Sequence, residues 1–233
     1  MNIALIVAAG KGTRVGKDIP KQFLLVKDKP LIVYTVEAFQ NNLDIDSIVI
    51  VTNNDYIKQV NNWCLKYQLN KVKMVVKGGD TRQASVYNGL KAIDSLKNSD
   101  DDIILIHDAA RPLVSNSIIS ENIEACIKYD AVDTVIKSKD TIIQSKDNKS
   151  INDILNRDEI YQTQTPQSFK YRIIKEAHEK AIKEALNAAT DDARLVMALG
   201  IDVHLVEGNA QNFKVTNQDD LKMLEALIDL KEK

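Results

Sequence analysis

Short apolar runs rich in β-branched residues alternate along the chain with segments whose apolar residues recur at helical spacing. Six of the runs predict strands, at 3–8, 47–52, 72–76, 103–106, 132–136 and 203–206. Several are apolar at successive positions, so both faces of those strands require cover. The pattern therefore predicts an α/β fold in which a mostly parallel sheet carries helices on both faces.

The intervening segments predict helices that bury one face. Between the third and fourth strands, Val86, Leu90, Ile93 and Leu96 recur at spacings of four and three. Near the end of the chain, Thr216 and Asp219 are typical of a capping box, which predicts an amphipathic helix after them. With 233 residues and 44% hydrophobic content, the chain is expected to form one domain spanning 1–233.

The segment 137–160 interrupts this alternation. It is polar, contains neither Gly nor Pro, and follows a predicted strand. A hairpin with its turn near 146–149 fits these residues. Such a hairpin could cover a site or join two subunits, and a solvated surface loop fits the residues equally well.

Charge and composition restrict the class of partner. Lys and Arg total 31 against 33 Asp and Glu, so the net charge of -2 predicts no broad attraction to nucleic acid or to an anionic membrane. No apolar run approaches the roughly 20 residues that span a bilayer, and the first residues lack the features of a signal peptide. We therefore expect a cytoplasmic protein, with Cys64 and Cys126 reduced.

A glycine-rich loop, AAGKGTRVG, directly follows the first predicted strand. It is not a dinucleotide fingerprint, because Val15 stands where the third glycine is required. It is not a P-loop either, because five residues separate Gly10 from Gly16. The loop carries Arg14, and Lys21 follows it, so a cradle for a triphosphate is one interpretation. A plain strand-to-helix turn with surface cations is the other.

A second polar segment, HDAARP, follows the fourth predicted strand. Asp108 lies at the end of this strand and is a candidate Mg²⁺ ligand, because Mg²⁺ takes one or two carboxylates and completes its shell with water and phosphate. Arg111 is a candidate phosphate ligand. Asp108 is less suited to capping the next helix, because Ser115 is available for that. His107 is interpreted as a packing residue.

Four further polar segments are weaker signals when each is taken singly. The segment GGDTRQAS suits recognition of a base and ribose, although capping of a helix by Asp80 or Thr81 explains it as well. The others are QTQTPQSF at 162–169, TDD at 190–192 and NFKVT at 212–216.

Taken together and in order, these motifs resemble the 2-C-methyl-D-erythritol 4-phosphate cytidylyltransferase family and its ribitol-5-phosphate relatives. The resemblance rests on AAGKGTR, PKQF, GGDTRQ, HDAARP, DTI, QTPQSF, TDDA, LVEG and NFKVT, which together extend over essentially the whole chain. It implies a Rossmann-like nucleotidyltransferase fold with a β-arm at 137–160 that joins two subunits into a homodimer. It also implies Mg²⁺-dependent transfer of CMP from CTP to a polyol phosphate, with release of pyrophosphate.

The acceptor is left open between two polyol phosphates. HDAARP, TDDA and LVEG resemble the methylerythritol enzymes of isoprenoid precursor synthesis, which we place first. AVDTVI and YQTQTPQSF resemble the ribitol enzymes, which make CDP-ribitol for cell-wall or capsule polymers. A nucleotide-binding protein without turnover, and a sugar-1-phosphate nucleotidyltransferase that uses another base, are further alternatives.

The resemblance also implies roles for particular residues, with Asp108 as the metal ligand. Gln211 stands where the family often has an acidic residue, so a second carboxylate ligand is not expected there. Arg157 would arrive from the partner subunit's arm. The catalytic cations would be Arg14, Lys21 and Lys214; the CTP-binding residues Ala8, Ala9, Gly10, Gly12, Thr13, Gly79, Asp80 and Ser85; and the polyol phosphate ligands Arg111, Thr141, Arg157, Thr165 and Lys214.

Overall fold

Strands and helices alternate along the chain in the computed structural model, which describes residues 1–10, 19–96, 99–184 and 191–231. The strands are β1 (Asn2–Ala8), β2 (Leu25–Val26), β3 (Lys29–Pro30), β4 (Ser47–Thr52), β5 (Val72–Lys77), β6 (Ile103–Asp108), β7 (Ala131–Lys137), β8 (Ile143–Gln144), β9 (Asp153–Ile154), β10 (Tyr161–Lys170) and β11 (His204–Glu207). The helices are α1 (Leu31–Asn41), α2 (Ile57–Lys66), α3 (Arg82–Asp94), α4 (Asn116–Tyr129), α5 (Tyr171–Lys183), α6 (Asp192–Met197) and α7 (Gln218–Lys231). Short 3-10 helices lie at Lys21–Phe23, Asn54–Tyr56 and Arg157–Glu159.

Seven strands form one sheet in the order β11-β7-β10-β6-β1-β4-β5. All neighbouring pairs are parallel except those of β10, which runs antiparallel to both β6 and β7. The six predicted strands are confirmed, with ends that differ by at most two residues. Strand β10 was missed, because QTQTPQSF is polar and contains a proline, and its register with β7 is interrupted between Thr163 and Gln167.

Helices cover the sheet on both faces, as expected for buried parallel strands. Along β1, Ala4 and Ile6 belong to the core beneath α1, α2 and α4, whereas Ile3 and Leu5 belong to the core beneath α3, α5 and α6. This alternation follows from the two-residue period of a strand. The fold is therefore the mostly parallel, three-layer α/β arrangement that the hydrophobic pattern predicts.

Helix α3 approaches the sheet closely through Gly89. A Cβ at this position would overlap the Leu5 side chain and lie 2.8 Å from Cγ2 of Val51, two residues of the packed sheet. Val86, Leu90 and Ile93 of the predicted stripe are buried on the same helix, while Leu96 lies beyond its end. The glycine thus sets the distance between α3 and the sheet.

Replacing Gly89 with alanine is expected to lower the free energy of unfolding by up to about 2 kcal/mol. Overpacking a tight core typically costs about 1–3 kcal/mol, which exceeds the gain of roughly 1 kcal/mol from the better helix propensity of alanine. Urea unfolding measures the difference. The control is Lys91→Ala on the exposed face of α3. A Gly89→Ala protein as stable as the native one would show that the contact relaxes freely.

The capping of the helices agrees with the sequence in part. Ser115 caps α4 by accepting from Ile118 N, and Thr81 caps α3 by accepting from Ala84 N. The prediction that Thr216 and Asp219 form the capping box of α7 was wrong by one residue. The reciprocal pair is Asn217 and Asp220, with Asp220 N donating to Asn217 Oδ1 at 2.9 Å and Asn217 N donating to Asp220 Oδ2 at 3.0 Å.

The segment after β7 does form a hairpin, in which β8 and β9 pair antiparallel. Its turn is organised by Asp147, whose carboxylate accepts hydrogen bonds from Lys149 N and from the backbone and hydroxyl of Ser150. The hairpin is therefore held by side-chain to backbone bonds in place of glycine or proline.

Cys64 and Cys126 are free, and burial raises the pKa of the Cys64 thiol to about 11 and that of Cys126 to about 12. Within the described ranges, every helix is too short or too polar to cross a bilayer.

Candidate active site

A cleft of about 930 Å³ opens at the carboxyl edge of the parallel strands. It is bordered by the loops that follow β1, β4, β5 and β6, together with Lys21 and Gln22 from one further segment and Lys214 from another. Its volume lies within the range of small-molecule sites. The lining residues are Val7, Ala8, Ala9, Gly10, Lys21, Gln22, Asn53, Asn54, Lys77, Gly78, Gly79, Asp80, Thr81, Arg82, Ser85, Asp108, Ala109, Ala110 and Lys214.

The strand order explains why the cleft lies here. After β1 the chain builds β4 and β5 on one side of it, then crosses to place β6 on the other side. At such a reversal the neighbouring connections leave in opposite directions, and the crevice between them is where open α/β sheets bind ligands. The fold therefore gathers the glycine loop and the HDAARP segment on adjacent strands.

The loop after β5 lies close to the end of β1. A Cβ at Gly78 would overlap Ala9 Cβ, and a Cβ at Gly79 would lie 2.5 Å from Ala84 Cβ, so neither position has room for a side chain. The Ser85 hydroxyl accepts from Gly79 N at 3.1 Å and donates to the Thr81 carbonyl at 2.8 Å. Ser85 therefore fixes the shape of this wall of the cleft from behind.

Lys21 enters the cleft from the 3-10 helix that precedes β2. Its Nζ donates to the Val215 carbonyl at 2.7 Å. The neighbouring Gln22 is buried, and its amide donates to the carbonyls of Ala8 and Gly10 at 2.6 and 2.8 Å. Gln22 thus joins the start of the glycine loop to the helix that carries Lys21.

Asp108, at the end of β6, is the carboxylate at the centre of the site. Its Oδ2 accepts from Lys214 Nζ at 2.6 Å, and its Oδ1 lies 3.7 Å from Arg82 Nε. Burial acts to raise the pKa of this carboxyl, but Lys214, Arg82 and Arg111 hold it well below its ordinary value. Asp108 is therefore ionised at neutral pH.

The backbone of Asp108 is fixed by buried groups on β6 and β10. Asp108 N donates to Thr165 Oγ1 at 3.1 Å, and that hydroxyl also lies 3.0 Å from His107 Nδ1. The other ring nitrogen, Nε2, lies 3.0 Å from the Arg111 carbonyl, which can only accept, so Nε2 carries the proton. Burial lowers the pKa of His107 to about 4, so the ring is neutral. His107 is the packing residue that the sequence predicts.

The segment that carries Lys214 is anchored two residues earlier by Asn212. The fully buried Asn212 amide donates to the Thr165 carbonyl at 2.8 Å and to Gln164 Oε1 at 3.1 Å. The backbone carbonyl of Asn212 accepts a hydrogen bond from Arg111 Nη1 at 2.8 Å. Asp108 and the segment of Lys214 are therefore both hydrogen-bonded to Thr165 of β10. These bonds explain how Lys214 and Asp108 meet although they are 106 positions apart.

Arg82 lines the cleft and, like Lys77, is a cation to which the sequence assigned no role. Its Nη1 donates to Asp192 Oδ2 at 2.6 Å, and the other oxygen of Asp192 lies 3.0 Å from His178 Nε2. Both Asp192 and His178 are buried. Arg82 belongs to the motif GGDTRQ and Asp192 to the motif TDDA. The sequence therefore named both segments, but it did not indicate that these two side chains, 110 positions apart, form a pair.

The structure brings together most of the predicted site. Ala8, Ala9, Gly10, Lys21, Gly79, Asp80, Ser85, Asp108 and Lys214 line the cleft, while Gly12, Thr13 and Arg14 lie outside the described residues. Arg111 and Thr165 lie behind Asp108 with their polar groups directed at backbone and at His107. Thr141 and Arg157 are exposed on or beside the hairpin and do not line the cleft of their own chain.

The donor groups fit a hard cation that is held mainly by phosphate. Across the described ranges, no cluster of three or more His, Cys, Asp or Glu side chains could enclose a metal ion. Asp80 and Asp108 are the carboxylates among the lining residues. Mg²⁺ is commonly bound by one or two carboxylates plus substrate phosphates, so this sparse set suits Mg²⁺ that arrives with a nucleotide.

Comparison with known proteins identifies the family of the chain. The sequence model of 2-C-methyl-D-erythritol 4-phosphate cytidylyltransferase matches residues 2–230. The enzyme of that name from Clostridium novyi is 43% identical over 229 residues, covering 98% of this chain and 96% of its own.

Solved structures agree with the sequence comparison. The 4-diphosphocytidyl-2C-methyl-D-erythritol synthase of Anaerococcus prevotii superposes with a TM-score of 0.84 at 30% identity, covering 98% of this chain and 96% of its own. The 2-C-methyl-D-erythritol 4-phosphate cytidylyltransferase of Francisella tularensis superposes with a TM-score of 0.81 at 32% identity, covering 97% and 99%.

Proposed function

The chain belongs to the 2-C-methyl-D-erythritol 4-phosphate cytidylyltransferase family, and on that premise we propose that it transfers CMP from CTP to 2-C-methyl-D-erythritol 4-phosphate. Pyrophosphate is the second product, and the reaction serves isoprenoid precursor synthesis. Family membership over almost the whole chain supports the methylerythritol acceptor over ribitol 5-phosphate.

One observation carries the chemical assignment: cations converge on an ionised carboxylate in a single cleft. Lys21, Lys77, Arg82 and Lys214 all line it, and Lys214 and Arg82 form ion pairs with Asp108. Both reactants are phosphates, and their mutual repulsion opposes the reaction. A preorganised set of cations stabilises charge that is spread over several phosphate oxygens, and in phosphoryl transfer this stabilisation supplies most of the catalysis.

The transfer needs no general base. A phosphate oxygen of the acceptor is already ionised at neutral pH, and it forms the new bond to the α-phosphorus of CTP while the bond from that phosphorus to pyrophosphate breaks. His107, the histidine nearest Asp108 in sequence, has both ring nitrogens engaged and its pKa lowered by burial to about 4. The arrangement therefore supports catalysis by positioning and charge stabilisation.

The nucleotide would lie along the loops after β1 and β5. Ala8, Ala9 and Gly10 line the cleft at the end of β1, and Gly79 and Asp80 line it from the loop after β5. The close approach at Gly78 and the Ser85 hydrogen bonds make this loop rigid. A rigid slot with backbone groups suits a planar base, and we assign the cytosine and ribose to it.

Lys21 and Lys214 would contact the reacting phosphates. Lys21 lines the cleft together with Gly10, the first glycine of the loop where the triphosphate is expected. Its bond to the Val215 carbonyl places it next to the segment that carries Lys214. Asp108 would hold the Mg²⁺. When bound, Mg²⁺ neutralises charge on the phosphate oxygens it contacts. Arg14, which the family resemblance adds to this group, would complete the cradle.

Pyrophosphate release by the purified protein tests the function. With CTP, Mg²⁺ and 2-C-methyl-D-erythritol 4-phosphate, we expect turnover that UTP or GTP in place of CTP does not support. Ribitol 5-phosphate in place of the methylerythritol acceptor is expected to give far less product. Faster turnover with ribitol 5-phosphate would overturn the assigned acceptor, and binding of CTP without turnover would point to a nucleotide-binding protein.

The hairpin supports a homodimer as part of the proposal. Ile143, Ile151, Ile154 and Tyr161 expose 45% to 61% of their surface on or next to it, although two-residue strands contribute little stability alone. Clustered apolar side chains of this kind mark an interaction surface. We assign this surface to a second copy of the chain, into whose cleft Thr141 and Arg157 would extend.

Replacing Ile154 with aspartate is expected to shift the protein towards monomer and to lower kcat/KM for the acceptor. Burying an unpaired carboxylate at the interface would destabilise the dimer. Without the dimer, the arm no longer carries Arg157 into the cleft of the second copy. Light scattering and steady-state kinetics measure the two effects. Leu43→Asp is the matched control, because Leu43 is 95% exposed at another place on the surface. Unchanged mass at low micromolar concentration would contradict the assignment.

A further inference from the structure

Arg82 occupies an unusual electrostatic position for a residue that lines the cleft. It lies between two carboxylates, Asp108 on the cleft side at 3.7 Å and Asp192 on the buried side at 2.6 Å. Only 25% of the Arg82 side chain is exposed. Burial acts to lower the pKa of the guanidinium, but Asp192 and Asp108 hold it above its ordinary value, so the charge is permanent.

The ion pair with Asp192 holds the Arg82 guanidinium in place. The Asp192 side chain is 2% exposed and receives hydrogen bonds from Arg82 and His178 on its two oxygens. Its backbone N donates to Gln167 Oε1 at 3.2 Å. Asp192 therefore cannot turn away without leaving the guanidinium, the imidazole and its own charge unsatisfied in a buried place.

The contact with Asp108 differs from the contact that Lys214 makes. Lys214 hydrogen-bonds Oδ2 at 2.6 Å, but it is 39% exposed, and a lysine ammonium on a flexible stem reorients easily. Arg82 approaches Oδ1 at 3.7 Å, which is an ion pair and too long for a hydrogen bond. Arg82 thus attracts the carboxylate without occupying the lone pairs of Oδ1.

We infer that Arg82 is a positioning residue of the transfer reaction: anchored by Asp192 and His178, it keeps Asp108 oriented into the cleft when Lys214 engages the reacting phosphates. This inference rests on the proposed function. Without Arg82, Asp108 would depend on Lys214 for its orientation, and a Lys214 engaged by phosphate no longer restrains the carboxylate. Groups that orient a metal-binding carboxylate typically contribute about 10- to 100-fold to affinity or activity.

The test compares Arg82→Gln, Arg82→Lys, Asp192→Asn and the double variant Arg82→Gln/Asp192→Asn with the native protein. For Arg82→Gln we expect kcat to fall roughly 10- to 100-fold with a small change in the KM for CTP. Arg82→Lys should regain part of kcat. If Asp192 acts through Arg82, the double variant should be no slower than Arg82→Gln within about two-fold.

A second readout does not depend on turnover. Mn²⁺ binding in the presence of CTP, followed by electron paramagnetic resonance, should weaken in Arg82→Gln and in Asp192→Asn. The matched control is Arg172→Gln, since Arg172 forms its ion pairs with Asp101 and Asp130 at the opposite edge of the sheet. Thermal unfolding shows whether each variant is folded.

The outcomes separate the inference from the function. A native protein that releases no pyrophosphate would overturn the proposed function. An active native protein with unchanged kcat and Mn²⁺ affinity in folded Arg82→Gln would overturn the positioning role alone. Effects of Arg82→Gln and Asp192→Asn that multiply in the double variant would show that Asp192 acts independently, which also contradicts the inference.

Discussion

Replacing Lys21 with alanine is expected to lower kcat by roughly 100- to 1,000-fold, the range found when one preorganised donor to developing charge is removed. The Lys21 ammonium lies in the cleft next to the end of β1, where its carbonyl contact with Val215 holds it in place. Its interaction with the phosphates should strengthen as charge moves onto the departing pyrophosphate, so the transition state loses more than the bound ground state.

Steady-state measurement of pyrophosphate release distinguishes this role from simple binding. We expect the KM for CTP to change by only a few-fold, because other cations and the backbone of the glycine loop retain ground-state affinity. Lys29→Ala is the matched control: Lys29 forms its ion pair with Glu37 at 2.8 Å and does not line the cleft. A raised KM at unchanged kcat would rule out transition-state stabilisation by Lys21.

Replacing Asp108 with asparagine is expected to affect both turnover and stability. The carboxylate is the counter-ion of Lys214 and Arg82 and the proposed Mg²⁺ ligand. Loss of metal-assisted charge stabilisation, which contributes several kcal/mol, should lower kcat/KM by roughly 1,000-fold. Lys214 would lose its counter-ion and Arg82 would keep only Asp192, so the free energy of unfolding should fall by about 2 kcal/mol, less than for a fully buried pair because Lys214 is partly solvated.

Urea unfolding and steady-state kinetics over a range of Mg²⁺ concentrations measure these two effects separately. Asp219→Asn serves as the control for loss of an ion pair, because Asp219 is 88% exposed and pairs with Lys222 at the surface. We expect that control to be neutral in both assays. An Asp108→Asn protein that reaches native kcat at high Mg²⁺ would show that Asp108 assists metal affinity without being required for the reaction.

Much of the fold was readable from residue order, because strand burial leaves a local signal. Six strands of the main sheet were predicted within two residues, and their location between helices followed from apolar residues on both faces. Strand β10 was missed, since its buried polar side chains bond to specific partners such as Asp133 and Asn122, which no local pattern encodes. The one-residue error at Asn217 has the same origin: several side chains there can cap, and geometry selects one.

The motifs identified the family and named most residues of the cleft, because glycine and charge at strand ends are local features with a shared physical reason. Packing alone decided which of those side chains meet. Asp108 and Lys214 are 106 positions apart, and Arg82 and Asp192 are 110 apart. Contacts at such separations depend on strand register and on anchors such as Asn212. Which charged side chains pair in the site is therefore decided only when the sheet is assembled. The types of side chain that the site contains can already be read along the chain.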